Sequence, residues 1–187
     1  MKPSYLSKPM GTIPVIIISF FFGTITGSFF YTLALRYTDG SIRENPRIAL
    51  FSRSRCPLCQ SDIGPIHLIP ILGYIIQKGK CRHCGGEITP IYPAMEILYG
   101  LMASLFAWKI GMTFYSVNVY LLAGISLCIA VVDIKSLMIP DSLVIAFVIL
   151  SAYPIIMNYN IADNLLGLLA LFSFFIIILL LFPGSFG

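Results

Sequence analysis

The chain has 187 residues, 58% of them hydrophobic and 11% charged, with a mean hydropathy of +0.91. So short a chain has too little interior to hide that much apolar surface from water, which excludes disorder and an ordinary soluble globule and leaves a membrane protein. The 12 Lys and Arg against 8 Asp and Glu leave a net charge of +4, too slight an excess to argue for nucleic acid.

Ile13 to Leu35 gives 23 residues without a charge, enough at about 1.5 Å per residue to cross roughly 30 Å of hydrocarbon with a little tilt. Lys2 and Lys8 ahead of it, and the small residues Gly23, Thr24, Thr26, Gly27 and Ser28 within it, imitate a secretory signal, but the apolar run is too long for a signal core. Further apolar runs at Pro93 to Ile110, Phe114 to Val132, Ser142 to Met157 and Leu165 to Phe182 predict four more spans at the short limit for a crossing helix. The expected fold is therefore an all-α polytopic membrane protein with about five transmembrane helices and a small cytoplasmic insertion between the first and second. The expected divisions are 1–35, the N-terminal region and first span; 36–92, the polar insertion; and 93–187, the remaining helices. No internal repeat is expected.

The segment 36–92 carries Arg36, Arg43, Arg47, Arg53, Arg55, Lys78, Lys80 and Arg82. Short loops rich in Lys and Arg stay in the cytoplasm, so this segment and Lys135 are expected inside, with Lys2, Lys8 and Lys109 outside. The expected location is the inner (cytoplasmic) membrane, multi-pass.

Within that segment lie Cys56-Pro-Leu-Cys59 and Cys81-Arg-His-Cys84, two C-x-x-C pairs separated by 21 residues, a spacing close to a four-cysteine zinc ribbon. Each pair turns two thiolates toward one ion, and the intervening chain returns to complete a tetrahedron. Cys56, Cys59, Cys81 and Cys84 are the expected metal ligands, for a structural zinc whose shell is closed by protein. Arg55, Lys80 and Arg82 abut them and offset the −2 charge that four thiolates around a divalent ion carry. Disulfides are the alternative, disfavoured in a reducing cytoplasm. His83 is a competing ligand, His67 reads as a packed histidine, and Cys128 reads as a small buried apolar residue.

Three acids fall near the ends of predicted spans. Asp133 closes the third span, where helix carbonyls make a carboxylate electrostatically misplaced and favour its protonated form. An ionisable group at that depth is a functional candidate, against the plainer reading of a pair with Lys135. Asp141 is expected at the N-cap of the fourth span, and Glu96 in the first turn of the second, three residues after Pro93.

Taken together, Gly27-Ser28-Phe29 with Arg36, Ser54 to Cys59, Leu68-Ile69-Pro70, Gly79 to Gly85, Tyr92-Pro93-Ala94-Met95-Glu96, and Asp133 followed by Ile139-Pro140-Asp141 resemble the prepilin peptidase family. These are membrane aspartic peptidases that process pilin-like leader sequences. The resemblance implies that Asp133 is the first catalytic aspartate, with Asp141 and Glu96 as supporting candidates, and that pilin-like precursors are partners, with no nucleic acid expected. It also implies N-methylation of the new N-terminus with S-adenosylmethionine as cofactor, although the family's Asn after its Gly-Ser-Phe motif is absent here, where Phe30 and Tyr31 stand. The second aspartate of the family follows a later span in a G-x-G-D motif, and these 187 residues end at Phe182-Pro183-Gly184-Ser185-Phe186-Gly187, which resembles a C-terminally truncated form. One carboxyl cannot both activate water and polarise a carbonyl, so the expectation is little or no peptidase activity from these residues alone. The alternative expectation is a non-catalytic, zinc-bearing membrane scaffold that binds pilin-like segments or assembly partners.

Overall fold

The computed structural model describes residues 12–44, 47 and 53–156. Among them the chain is helical, with no strand and two isolated antiparallel bridges. In chain order the helices are α1 (Ile13–Thr38), α2 (Ser41–Glu44), a 3-10 turn (Pro65–Leu68), α3 (Leu72–Ile76), α4 (Ile91–Ile110), α5 (Phe114–Ser136) and α6 (Asp141–Ile156). α1, α4 and α5 are long and apolar enough to cross a membrane. α6 is described over 16 residues, to Ile156, and the expected fifth span lies outside the described residues.

From Ile18 to Phe29, α1 buries small and polar residues and turns large apolar ones outward. Ser19, Gly23, Thr24 and Gly27 are buried, whereas Ile18, Phe21, Ile25 and Phe29 are exposed. That inversion suits lipid, where helices gain by close backbone approach because burying aliphatics from lipid gains nothing. The contact runs through Gly23-x-x-x-Gly27. A Cβ at Gly23 would come within 2.5 Å of the Tyr99 carbonyl oxygen and 2.7 Å of the Gly100 Cα, and one at Gly27 within 2.7 Å of the Tyr99 Cβ. At the far end Ser104 donates to the Ile16 carbonyl at 3.2 Å, so α1 and α4 run antiparallel along most of their length.

Tyr99, fully buried, is where the three long helices meet. Its ring stacks on Phe30 of α1 with centroids 5.5 Å apart, and its hydroxyl donates to the Gly124 carbonyl of α5 at 2.7 Å. Tyr120 of α5 adds a hydrogen bond with Thr26 of α1. Cys128 is buried, as expected of a small apolar residue, and its thiol faces the Phe30 carbonyl at 3.5 Å. α5 begins with a reciprocal capping box between Thr113 and Ser116 and ends at Leu137, whose φ of 51° is left-handed.

Candidate functional site

The segment between α1 and α4 folds as two copies of one small turn. Residues 54–63 and 79–88 superpose in pattern: Arg55 or Lys80, a C-x-x-C pair, a residue with positive φ (Gln60 at 57°, Gly85 at 70°), Ser61 or Gly86, then Asp62 or Glu87. Their backbone bonds repeat as well. Gln60 N–H donates to Cys56 C=O and Gly85 N–H to Cys81 C=O, both at 2.9 Å; Cys56 N–H donates to Ser61 C=O at 3.0 Å and Cys81 N–H to Gly86 C=O at 2.8 Å. The bridges Arg55 with Asp62 and Lys80 with Glu87 close the two turns alike. The expectation of no internal repeat is thereby corrected. The repeat is short and only its thiols and flanking charges recur in sequence, while the matching geometry lies in the backbone.

The two turns bring the four thiols together. All four Sγ atoms lie within 4.8 Å of one another, with Cys56 to Cys84 and Cys59 to Cys81 each at 3.9 Å. A tetrahedron with about 2.3 Å metal–sulfur bonds has edges of about 3.8 Å, so the cluster is already the size of a zinc shell. All four cysteines are free thiols in this structure, and neither His83 nor His67 belongs to the cluster. Hydrogen bonding from Ser61 lowers the Cys59 thiol, and the backbone N–H groups of Cys84 and His83 hold the Cys81 thiol down to about 6. The backbone N–H of Gly86 favours a thiolate at Cys84, but the neighbouring Cys59, Cys81 and Cys56 sulfurs outweigh it and push that thiol up to about 11. Four sulfurs this close cannot all carry charge without a cation between them.

Glu96 departs from its expected place. α4 starts at Ile91 rather than at Pro93, which puts Glu96 beyond the first turn, where it is buried. Its carboxylate accepts the backbone N–H of Ile71 at 2.6 Å. Ile71 has a φ of 63°, a conformation that β-branched residues avoid, and it immediately precedes α3. The carboxylate therefore anchors the insertion to the span instead of capping its own helix.

The other two acids lie at the same end of the bundle. Tyr37 near the end of α1 and Ser142 at the start of α6 share a hydrogen bond of 2.6 Å, and a cleft of about 260 Å³ lies among Tyr37, Ile42, Val132, Met138, Asp141 and Ser142. Asp133 is in the last turn of α5 and is exposed at the helix surface, not buried at a rim as expected, because α5 turns Val132 inward beside it. Lys135, two residues on, points elsewhere on the helix, and the ion pair found among the described residues is Arg55 with Asp62 at 3.0 Å. Asp141 is the first residue of α6 rather than its N-cap. The Pro140 carbonyl accepts from Leu143 and Val144 and so takes the cap position, leaving Asp141 to act on the helix dipole. Sequence reasoning missed Gly23, Ile71 and Tyr37. A signal for the first was present as G-x-x-x-G within an apolar run.

These features define a polytopic helical membrane protein with an insertion whose four clustered thiols could hold a metal ion and which is tied to its second long helix. Residues 21–110 match the family model of the Bacterial Peptidase A24 N-terminal domain. The chain is 33% identical over 133 residues to the prepilin leader peptidase/N-methyltransferase of Bacillus subtilis, covering 71% of this chain and 51% of that protein. It is 30% identical over 132 residues to the Klebsiella pneumoniae protein of the same name, covering 70% of this chain and 58% of the other. For the Stutzerimonas stutzeri protein of that name the identity is 33% over 92 residues, 49% of this chain and 32% of the other. The chain thus spans about half the length, or less, of the curated relatives it matches. No solved structure matches it. The chain is thus similar to the prepilin leader peptidase/N-methyltransferases over the part of their length that it spans.

Proposed function

We propose that this chain serves a prepilin peptidase that cleaves the leader sequences of pilin-like precursors at the cytoplasmic face of the inner membrane. The observation that carries the reading is the Tyr37 to Ser142 contact, which draws the end of α1, and with it the thiol-bearing insertion, to the same end of the bundle as Asp133 and Asp141. The similarity to proteins named prepilin leader peptidase/N-methyltransferase suggests the reaction class, and the basic charge of the insertion favours a cytoplasmic face.

In this reading Asp133 is the first carboxylate of an aspartic mechanism. It takes the proton of the attacking water while a second, protonated carboxyl polarises the scissile carbonyl. Its exposure at the helix surface leaves it open to a substrate helix lying against the bundle. Asp141 borders the adjacent cleft and, like Glu96, has a supporting role, Asp141 near the substrate neck and Glu96 through the insertion. Zinc held by Cys56, Cys59, Cys81 and Cys84 supplies structure and no open coordination site. N-methylation with S-adenosylmethionine belongs to the same proposal, since the relatives' names carry that activity.

The test is leader cleavage in membranes. The 187 residues are compared with a form carrying a second carboxylate after a later span, each with Asp133 and with Asp133→Asn. The expected result is cleavage in the longer form that Asp133→Asn abolishes, with zinc content unchanged, and little or none from the 187 residues. Cleavage that survives Asp133→Asn overturns the aspartic assignment. Binding of a pilin-like segment without cleavage by either form transfers the reading to a zinc-bearing membrane scaffold.

A further inference from the structure

From Ile63 to Gln77 the insertion holds no Asp, Glu, Lys or Arg, and within that stretch the chain is folded inside out. The 3-10 turn and α3 pack on each other through backbone and polar groups. Gly73 is buried against the His67 carbonyl, Gly73 N–H donates to Ile69 C=O at 2.7 Å, and the Gln77 side-chain amide donates to Gly73 C=O at 3.0 Å. The aliphatic side chains are left outside: Ile66, Leu68, Ile69, Leu72, Ile75 and Ile76 are all exposed. Six large aliphatics exposed within eleven residues are costly in water.

Two further observations say what covers them. The hydrogen bond from Ile71 N–H to the Glu96 carboxylate fastens the middle of this stretch to α4, a membrane span, near the end where that span leaves the bilayer. In the first turns of that span Ile91, Ile97 and Leu98 are exposed as well, so exposed aliphatic side chains recur from this stretch into the start of the span. Directly after the stretch come Lys78, Lys80 and Arg82, all exposed, which is the charge an anionic headgroup layer attracts.

We propose that residues 65–76 form an interfacial anchor, inserted among lipid headgroups and upper acyl chains, that holds the four-thiol unit flat against an anionic bilayer. The physical logic is that of a monotopic amphipathic element: apolar burial supplies the depth, flanking cations supply the preference for anionic lipid, and Glu96 sets the position along the membrane normal. This goes beyond the peptidase reading and stands without it.

The test uses the full chain, metal-loaded, reconstituted in phosphatidylglycerol-containing vesicles. Trp108 is the chain's single tryptophan, so Trp108→Phe provides a silent background into which Leu72→Trp and, separately, Ile75→Trp are introduced. Retained metal binding serves as the check on folding for each variant. The expected result is blue-shifted emission, quenching by lipids brominated on the upper acyl chain, and weak quenching by aqueous acrylamide. In the same background, Lys78→Gln is expected to weaken the bromolipid quenching in anionic vesicles and leave it unchanged in zwitterionic ones. Full acrylamide quenching with no bromolipid effect overturns the proposal. Protection from acrylamide without bromolipid quenching overturns it too, and assigns the surface to a protein cover, another part of this chain or a second copy.

Discussion

The Glu96 carboxylate accepts the Ile71 backbone N–H at 2.6 Å across 25 residues of sequence, and by that contact a span holds the insertion. Ile71 has a left-handed φ, so the bond also supports a backbone conformation the residue would not choose. Glu96→Ala leaves a donor without its charged acceptor and is expected to destabilise the insertion by about 1–3 kcal/mol, whereas Glu96→Gln keeps an acceptor oxygen and loses less. Limited proteolysis of the chain in detergent, read at residues 65–80, separates the two. Equal protection of wild type and Glu96→Ala would contradict the anchoring role.

Cys81 and Cys84 differ in acidity before any metal arrives. Backbone N–H groups of Cys84 and His83 hold Cys81 near 6, while neighbouring sulfurs lift Cys84 to about 11. In the metal-free chain at pH 7, Cys81 is mostly thiolate and Cys84 thiol, so alkylation is expected at Cys81 before Cys84. A lowered thiol pKa favours the folded turn above that value and the advantage is lost as pH falls through it, so Cys81 labelling should drop away below about 6. Mass-spectrometric mapping of the labelled sites at several pH values checks the order.

Zinc should protect all four positions at once. One ion per chain is expected, and its removal by a chelator should expose Cys56, Cys59, Cys81 and Cys84 together to alkylation. Cys56→Ser breaks the shell of the buried ligand and is expected to abolish stoichiometric binding, because three thiolates leave the tetrahedron open. Cobalt substitution followed by visible absorption reports whether the coordination is tetrahedral sulfur.

The α1 to α4 contact depends on the absence of side chains at Gly23 and Gly27. Gly27→Leu drives a side chain into Tyr99, which is itself hydrogen bonded to Gly124, so the disturbance reaches α5. A loss of about 1–3 kcal/mol is expected, measured as thermal unfolding in detergent. The same substitution at Gly40, where a Cβ would meet nothing within 4 Å, tests only the backbone penalty of its φ of 81°.

Leu137 ends α5 in a left-handed conformation beside Asp133, whose carbonyl accepts the Leu137 N–H at 2.7 Å. Leu137→Gly relieves roughly 1–2 kcal/mol of steric cost and returns part of it as unfolded-chain entropy. A small rise in melting temperature, about 0.5–1 kcal/mol in stability, is the expected outcome, and a fall would mean that the exposed Leu137 side chain packs in the membrane.

By itself the sequence determined the helical membrane class, the three long spans and the four thiols that cluster. Charge-free length and C-x-x-C spacing are local properties, and lipid or a metal ion imposes the same demand on them whatever the neighbours are. Tertiary structure alone decided that Glu96 reaches back to Ile71, that Gly23 and Gly27 meet Tyr99, that Tyr37 joins Ser142, and that Asp133 faces outward while Val132 faces in. Each of these depends on how far one helix is rotated and shifted against another. Backbone contact at glycines and single hydrogen bonds set that quantity, and residue spacing along the chain does not encode it.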